Sequence, residues 1–277
     1  MTRVEALAEA TSRLKTAGVD TPALDAKLIL LGTESIESSA LIAAPDSPIN
    51  APEAFDSAIA RRCRREPVSK ILGFRDFWKH RFIVTKDVLD PRPDTELLVE
   101  TALNETIGNP PKRILDLGTG SGCILLSLLS EFPSAQGIGS DLSDAALDIA
   151  AQNADVLNLG GRVEFISSDW FSALDETFNL VVSNPPYIST TENVTLAPEV
   201  IDWDPKAALF AGMDGLQAYR KIADGLSAVL EPDGTALFEI GFGQAASVRA
   251  IFEDAGFRRI SSRFDLGGIE RCVIVRH

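Results

Sequence analysis

The chain has 277 residues, 45% of them apolar, and carries 26 basic against 40 acidic side chains for a formal net charge of −14. An acidic balance excludes a broad nonspecific nucleic-acid surface, which needs Lys and Arg, and by itself says no more than solubility. Only two histidines (His80, His277) and three scattered cysteines (Cys63, Cys123, Cys272) argue against a histidine triad, a metal centre or a disulfide framework, and fit a reducing cytoplasm.

The first residues, MTRVEALAEATSRL, lack the unbroken apolar stretch of a secretory signal and read as an amphipathic helix. No apolar run reaches the length of a membrane span. Thr21-Pro22 predicts an N-cap with proline at the first helical position, and Gly32 is expected to stop that helix. Pro52 opens another, with Phe55, Ile59 and Cys63 on one face. Arg61, Arg62, Arg64 and Arg65 crowd its end, where cations suit the helix dipole. They read either as a solvated face or as a docking patch for an acidic or RNA-bearing partner. Residues 1–75 therefore form a small helical domain.

Between 76 and 92, Phe77, Trp78, Phe82, Ile83 and Val84 suggest short strands in a hairpin-like linker. PRPDTE then gives a rigid extended piece before a helix starting near Thr95, with Asp94 and Thr95 as expected caps. From Lys112 strands and helices alternate: KRILDL, CILLSLLSEF, QGIGSD, DAALDIAAQNADVL, RVEFIS, FNLVVS, GLQAYRKIADGLSAVL, GTALFEI and QAASVRAIFEDA. This alternation predicts a parallel sheet covered on both faces, in a domain spanning 93–277. The ending differs. FRRISSRF and IERCVIV are joined by DLGG, a turn that makes a hairpin, so the last strand runs antiparallel to its neighbour. A plain dinucleotide sheet has no need of that strand. The fold class expected is α/β: a Rossmann-like, seven-stranded mixed sheet of the S-adenosylmethionine-dependent methyltransferase type, with its last strand antiparallel and a small helical domain in front.

Asp116-Leu-Gly-Thr-Gly-Ser-Gly122 follows the first strand of that domain and opens a helix. Its glycines allow a tight turn and close ligand approach, so Gly118, Thr119, Gly120, Ser121 and Gly122 are candidate cofactor contacts. The next strand ends at Asp141, where an acid can accept from both ribose hydroxyls. The third ends at Ser168-Asp169-Trp170-Phe171, an acid and an indole suited to the amine and the face of an adenine. A nicotinamide dinucleotide or S-adenosylmethionine satisfies all three strand ends. The fourth strand separates them, because it ends in Asn184-Pro185-Pro186-Tyr187.

Two prolines leave a sheet and hold the preceding residue extended. Asn184 is thereby pre-organised, its side-chain carbonyl and the backbone carbonyl of Pro185 serving as acceptors beside the flat face of Tyr187. Such a set suits a planar group bearing an NH2, a carboxamide or a base amine. That nitrogen becomes cationic as it attacks a sulfonium methyl, so acceptors stabilise the transition state more than the ground state. In-line positioning adds the rest.

On these residues the sequence resembles the HemK/PrmC family, protein-(glutamine-N5) methyltransferases acting on class I peptide-chain release factors. The likeness covers nearly the whole chain, through REPVSKILGFRDFW, PRPDTELLVE, DLGTGSG, SDWFSAL, NPPYI and GIERCVIVRH. It implies S-adenosylmethionine as methyl donor, with S-adenosylhomocysteine as product, held by Gly118 to Gly122, Asp141, Asp169, Trp170 and Asn184. It implies a release-factor glutamine, that of a Gly-Gly-Gln loop, held by Asn184, Pro185, Pro186 and Tyr187, and gives residues 1–75 a docking role. Asn184, Pro185 and Tyr187 are the expected catalytic residues, with no metal, no membrane, no direct nucleic acid, and a monomer in the cytoplasm. Where relatives often show Glu-Pro before Ala-Leu, this chain has Asp204-Pro205 before Ala208-Leu209, and Asp204 is expected to order its loop. Adenine methylation of DNA, which shares NPPY, wants a basic recognition region. A non-catalytic binding module would not keep the whole acceptor set, and a nicotinamide oxidoreductase would show a hydride-transfer acid or base.

Overall fold

The structure, a computed structural model, describes residues 1–191 and 196–277. The chain divides into two compact units: residues 1–74 with 197–203, and residues 75–196 with 204–277.

The first unit is helical: α1 (Arg3–Thr16), α2 (Pro22–Glu34), α3 (Ser38–Ala43), α4 (Pro52–Cys63), α5 (Val68–Leu72) and, from the later segment, α9 (Pro198–Ile201). Thr2 and Glu5 close a reciprocal capping box at the start of α1. Ala6, Ala10 and Leu14 then share one buried stripe, which meets Ala26, Ile29 and Leu30 of α2 and Phe55, Ala58 and Ile59 of α4.

Three local expectations change here. Gly32 does not end α2, which runs on to Glu34 and stops at Ser35 in the left-handed region (φ 52°). A Cβ on Gly32 would stand 2.5 Å from Leu72 Cδ2, so this glycine is needed for close packing against α5. Thr21 does sit at the N-cap, yet its hydroxyl donates to Asp25 Oδ1 and caps no backbone N–H. The arginine cluster is neither a solvated face nor a free patch. Buried Arg62 pairs with Asp25 (2.6 Å) and Glu199 (2.9 Å), Arg65 pairs with Glu199 (2.7 Å), and Arg61 donates to Glu66 (2.8 Å). Arg64 alone of the four is exposed.

The second unit begins with a two-stranded hairpin, β1 (Phe74–Phe77) and β2 (His80–Ile83), whose Phe77 and Phe82 are buried in the same apolar cluster as α6 (Glu96–Glu105) and α7 (Cys123–Glu131). The main sheet takes β3 (Arg113–Leu117), β4 (Gln136–Asp141), β5 (Val163–Ser167), β6 (Phe178–Ser183), β7 (Leu230–Glu239), β8 (Arg259–Phe264) and β9 (Glu270–Arg276). Its seven strands run in the order β5-β4-β3-β6-β7-β9-β8. The pairs from β5 to β7 are parallel, and β9 is antiparallel to both neighbours.

Period-two alternation assigns side chains to the two faces. Ile114, Leu180, Val182 and Ile274 join the cluster with α6 and α7, while Leu115, Val181, Val273 and Val275 pack with α10 (Gln217–Val229) and α11 (Ala245–Asp254). The remaining helix, α8 (Asp144–Val156), lies against β4 and β5. Strands with both faces covered are apolar almost throughout, which is why they read so clearly in the sequence. From β3 the chain winds outward through β4 to β5, then returns to the other side of β3 with β6. That reversal leaves a crevice outside the carboxyl ends of β3 and β6, the place where open α/β sheets hold ligands. Among the described residues no helix is long and apolar enough to cross a membrane.

Candidate active site

Four consecutive strand ends build the site. At the end of β3 the chain turns through Gly118, Gly120 and Gly122, all with positive φ (71°, 55° and 77°), which only glycine adopts without strain. Gly118 N–H and Thr119 N–H both donate to Ser140 O, tying this loop to β4. At the end of β4, Asp141 accepts from Gly120 N–H at 2.9 Å and from Ser143 N–H at 3.0 Å. After β5, Ser168 holds its loop by donating to Trp170 O and accepting from Ala173 N–H. Trp170 itself has φ 57°, an uncommon backbone state for a bulky residue, held by that loop. At the end of β6, Ser183 donates to Leu117 O at 2.6 Å and fixes Asn184 beside the glycine turn.

These ends surround a cavity of about 360 Å³. Of the expected residues, Gly118, Gly120, Asp141, Asp169, Trp170, Asn184 and Pro186 line it. Thr119, Ser121, Gly122, Pro185 and Tyr187 do not. Thr119 turns inward and donates to Asp116 at 2.8 Å, Ser121 is buried, and a Cβ on Gly122 would press on Leu126 and Ala150. Asp169 is exposed and faces Lys221 at 3.3 Å. Other lining residues were not among the expected site residues, including Val88 and Leu89, after the hairpin, with Pro205 and Ala208. Ordinary apolar residues in loops carry no signal of a ligand wall.

Asp204 sits next to that last segment, buried, with Arg92 of PRPDTE held at 2.6 Å. It also accepts weakly from Asp90 N–H, at 3.4 Å. The loop after Tyr187 includes 192–195, outside the described residues. The expected caps of α6 are otherwise engaged. Neither Asp94 nor Thr95 makes a side-chain cap there. Asp94 lies 3.5 Å from Arg271, and the buried Thr95 hydroxyl accepts from Asn184 Nδ2 at 3.1 Å. With its NH2 so engaged, the Asn184 amide leaves Oδ1 as an acceptor, and among the described residues nothing bonds to it.

Tyr187 is anchored from several sides. Its carbonyl accepts from Gln244 Nε2 at 2.9 Å, and a Cβ on Gly215 would come within 2.4 Å of that oxygen. Its hydroxyl donates to Glu239 at 3.4 Å. Burial, with the nearby Glu239 charge, raises the Tyr187 pKa, so the phenol stays neutral.

Two buried acids close the site from within. Asp116 is fully buried, one of its oxygens has no hydrogen-bond partner, and burial pushes its carboxyl up to about 7 against the Thr119 hydroxyl. Glu239, at the end of β7, is likewise raised to about 7 by burial. Asp116 is signalled by its place just before the glycine turn, and Glu239 by being an acid in an apolar strand. Among the described residues no cluster of side chains could hold a metal ion.

The residues fit a nucleoside-bearing methyl donor. Nothing stands within 4 Å of a Cβ built on Gly118 or Gly120, so each missing side chain leaves open cavity. An acid and an indole follow at the next strand ends, and an orphaned carboxylate oxygen lies behind the turn.

Two family models match the chain: the PrmC N-terminal domain over residues 5–73 and the methyltransferase small domain over 76–209. A protein of Cereibacter sphaeroides named release factor glutamine methyltransferase is 48% identical over 278 residues, covering 100% of this chain and 99% of that one. Proteins of the same name from Rhodospirillum rubrum (44%, 95% of this chain and 82% of that one) and Caulobacter vibrioides (41%, 99% and 96%) are also similar. Among solved structures, the hMettl16 catalytic domain in complex with a MAT2A 3'UTR hairpin superposes with TM-score 0.59 at 14% identity, covering 81% of this chain and 82% of that one. A ribosomal protein L11 methylase of Lactobacillus delbrueckii gives 0.50 at 19%, covering 73% and 89%. At those identities the likeness concerns the fold alone.

Proposed function

Since this chain belongs to the release factor glutamine methyltransferase family, we propose that it transfers a methyl group from S-adenosylmethionine to the side-chain amide nitrogen of the Gly-Gly-Gln glutamine in class I peptide-chain release factors. The observation that carries this reading is the state of Asn184. It lines the donor cavity, its NH2 is committed to Thr95, and its carbonyl oxygen remains to accept.

S-adenosylmethionine supplies a methyl group made electrophilic by its sulfonium. Gly118 and Gly120 leave room for it, the Asp141 carboxylate has lone pairs left over for ribose hydroxyls, and Asp169 with Trp170 suits the adenine. Asn184 Oδ1 and the Pro185 carbonyl receive the amide protons of the substrate. As the amide nitrogen bonds to carbon its protons become more acidic, and these acceptors gain strength where charge develops. The prolines fix φ, so the acceptors need no reorganisation as the charge forms. Tyr187, kept neutral and anchored at both carbonyl and hydroxyl, offers a flat wall. A general base is not required before attack, because the proton is lost after nitrogen has turned cationic. One chain carries every proposed site residue, which supports a monomer, and a substrate used in translation supports a cytoplasmic reaction.

The test is incubation with labelled methyl donor and purified release factors, intact or carrying Gln→Ala in the Gly-Gly-Gln loop, with duplex DNA as competitor. Label on the intact factor alone is the expected result. Equal label on the Gln→Ala factor, or preferential label on DNA, would overturn the reading in favour of another nitrogen.

A further inference from the structure

Glu239 ends β7 in the run Thr-Ala-Leu-Phe-Glu-Ile and is only 4% exposed. One carboxylate oxygen accepts from Tyr187 at 3.4 Å, and the other makes no hydrogen bond. Its backbone carbonyl accepts from the Tyr219 hydroxyl at 2.8 Å, so the strand end is fixed without the side chain. The Thr95 hydroxyl lies beside the same carboxyl and favours its charged form. Thr95 is also the acceptor for Asn184 Nδ2. A hydroxyl that receives that N–H must turn its own proton elsewhere, and the carboxylate beside it is the acceptor at hand. Asn184, Thr95, Glu239 and Tyr187 thus form one polar array that reaches both ends of the Asn-Pro-Pro-Tyr turn.

We propose that Glu239 is a positioning residue for methyl transfer, its carboxylate orienting the Thr95 and Tyr187 hydroxyls and, through them, the Asn184 amide and the Tyr187 ring. This role rests on reading the site as one that methylates a planar amide. With a carboxylate present, the Thr95 proton points away from Asn184, and only one orientation of the asparagine amide is satisfied. Without it, the Thr95 proton can swing to Asn184 Oδ1. The amide then flips, and its NH2 faces a substrate NH2 that needs an acceptor. A carboxyl buried without a hydrogen bond on one oxygen lowers stability, so packing alone does not account for it.

The groups facing Glu239 come from several elements. Asp94, before α6, raises its pKa, and Arg271, on β9, lowers it. Tyr187, Tyr219, Cys272 and Cys123 surround it, each held neutral by burial. Ionised Glu239 is the competent form, so turnover falls on acidification through about 7. Asp116 titrates in the same range, and comparison with Glu239→Gln isolates the share of Glu239.

The experiment measures kcat, KM for the donor, thermal midpoint and pH profile on an intact release factor, for wild type, Glu239→Gln, Thr95→Val, Thr95→Ser and the Glu239→Gln/Thr95→Val double variant. Glu239→Gln is expected to lower kcat roughly tenfold, the scale of one charge-assisted hydrogen bond, with donor KM unchanged and no fall in thermal midpoint. Thr95→Ser, which keeps the hydroxyl, stays near wild type, and the double variant is no slower than the worse single one, because the two act in series. The acid limb near 7 flattens in Glu239→Gln. Wild-type kcat and pH profile in Glu239→Gln, or effects of the two sites that multiply, would overturn the positioning role. If wild type leaves the release factor unlabelled, the proposed function itself falls, and this role with it.

Discussion

One cluster in the helical unit and two acids in the sheet unit treat buried charge in opposite ways. In the helical unit Arg62 and Asp25 are buried and Glu199 is half-buried, yet each faces an opposite charge within 2.9 Å. In the sheet unit Asp116 and Glu239 are as deeply buried, and each keeps an oxygen with no hydrogen bond. The first arrangement is structural: a closed set of pairs that binds 197–203 to residues far away in sequence. The second costs stability, and its two acids stand at the ends of β3 and β7, around the cavity and the NPPY turn. A buried acid that keeps an oxygen without a hydrogen bond near a cavity is thus the better pointer to chemistry than the larger and more conspicuous arginine cluster.

This contrast can be broken from either side. Arg62→Ala strands the buried Asp25 and leaves Glu199 with Arg65 alone, and is expected to cost about 3–5 kcal/mol in urea denaturation, the scale for a broken buried pair. A loss below about 1 kcal/mol would mean the network is solvated. On the other side, Asn184→Ala should lower turnover roughly a hundredfold while leaving urea stability nearly unchanged, as for one lost transition-state partner. Near-normal turnover would remove the asparagine from the acceptor role.

Next in size comes the pH dependence of stability. The folded carboxyls of Asp116 and Glu239 hold protons up to about 7, whereas the unfolded ones release them near 3.8 and 4.5. The folded state therefore binds more protons in that window, and stability falls as pH rises through it. Each acid accounts for about 2–3 kcal/mol, so Asp116→Asn or Glu239→Gln should flatten the slope between about pH 5 and about pH 8. An unaltered slope in both variants would show that these acids are hydrated. The smallest effect expected is that of Asp141→Ala, a roughly tenfold weaker donor affinity by calorimetry with kcat largely retained at saturation. Unchanged affinity would take the carboxylate out of the ribose role.

Much of the sheet was legible because its strands are covered on both faces, so that apolar runs and Gly-rich turns alternate without ambiguity. The hairpin of β8 and β9 followed from DLGG, and the antiparallel last strand followed from the hairpin. Part of the cavity lining was legible too, since Asp141 at the end of β4 and Trp170 just after β5 follow the glycine turn at the next two strand ends. What failed was local logic applied where distant partners decide. Gly32 looks like a stop signal until Leu72 arrives to fill the space its missing Cβ leaves. Asp94 and Thr95 look like caps until Arg271 and Asn184 recruit them. The arginines of α4 look like dipole partners until Glu199, over a hundred residues on, meets two of them. In each case a contact of high sequence separation outweighs a cap or dipole term of about 1 kcal/mol.

The position of β9 between β7 and β8 gives one strand two tasks. Strand β8 has β9 as its one neighbour in the sheet, so it is joined to β7 only through that strand. Cys272 of β9 lies opposite Glu239. That one antiparallel pairing therefore both anchors the β8–β9 hairpin to the sheet and puts a neutral thiol, not a charge, next to the glutamate.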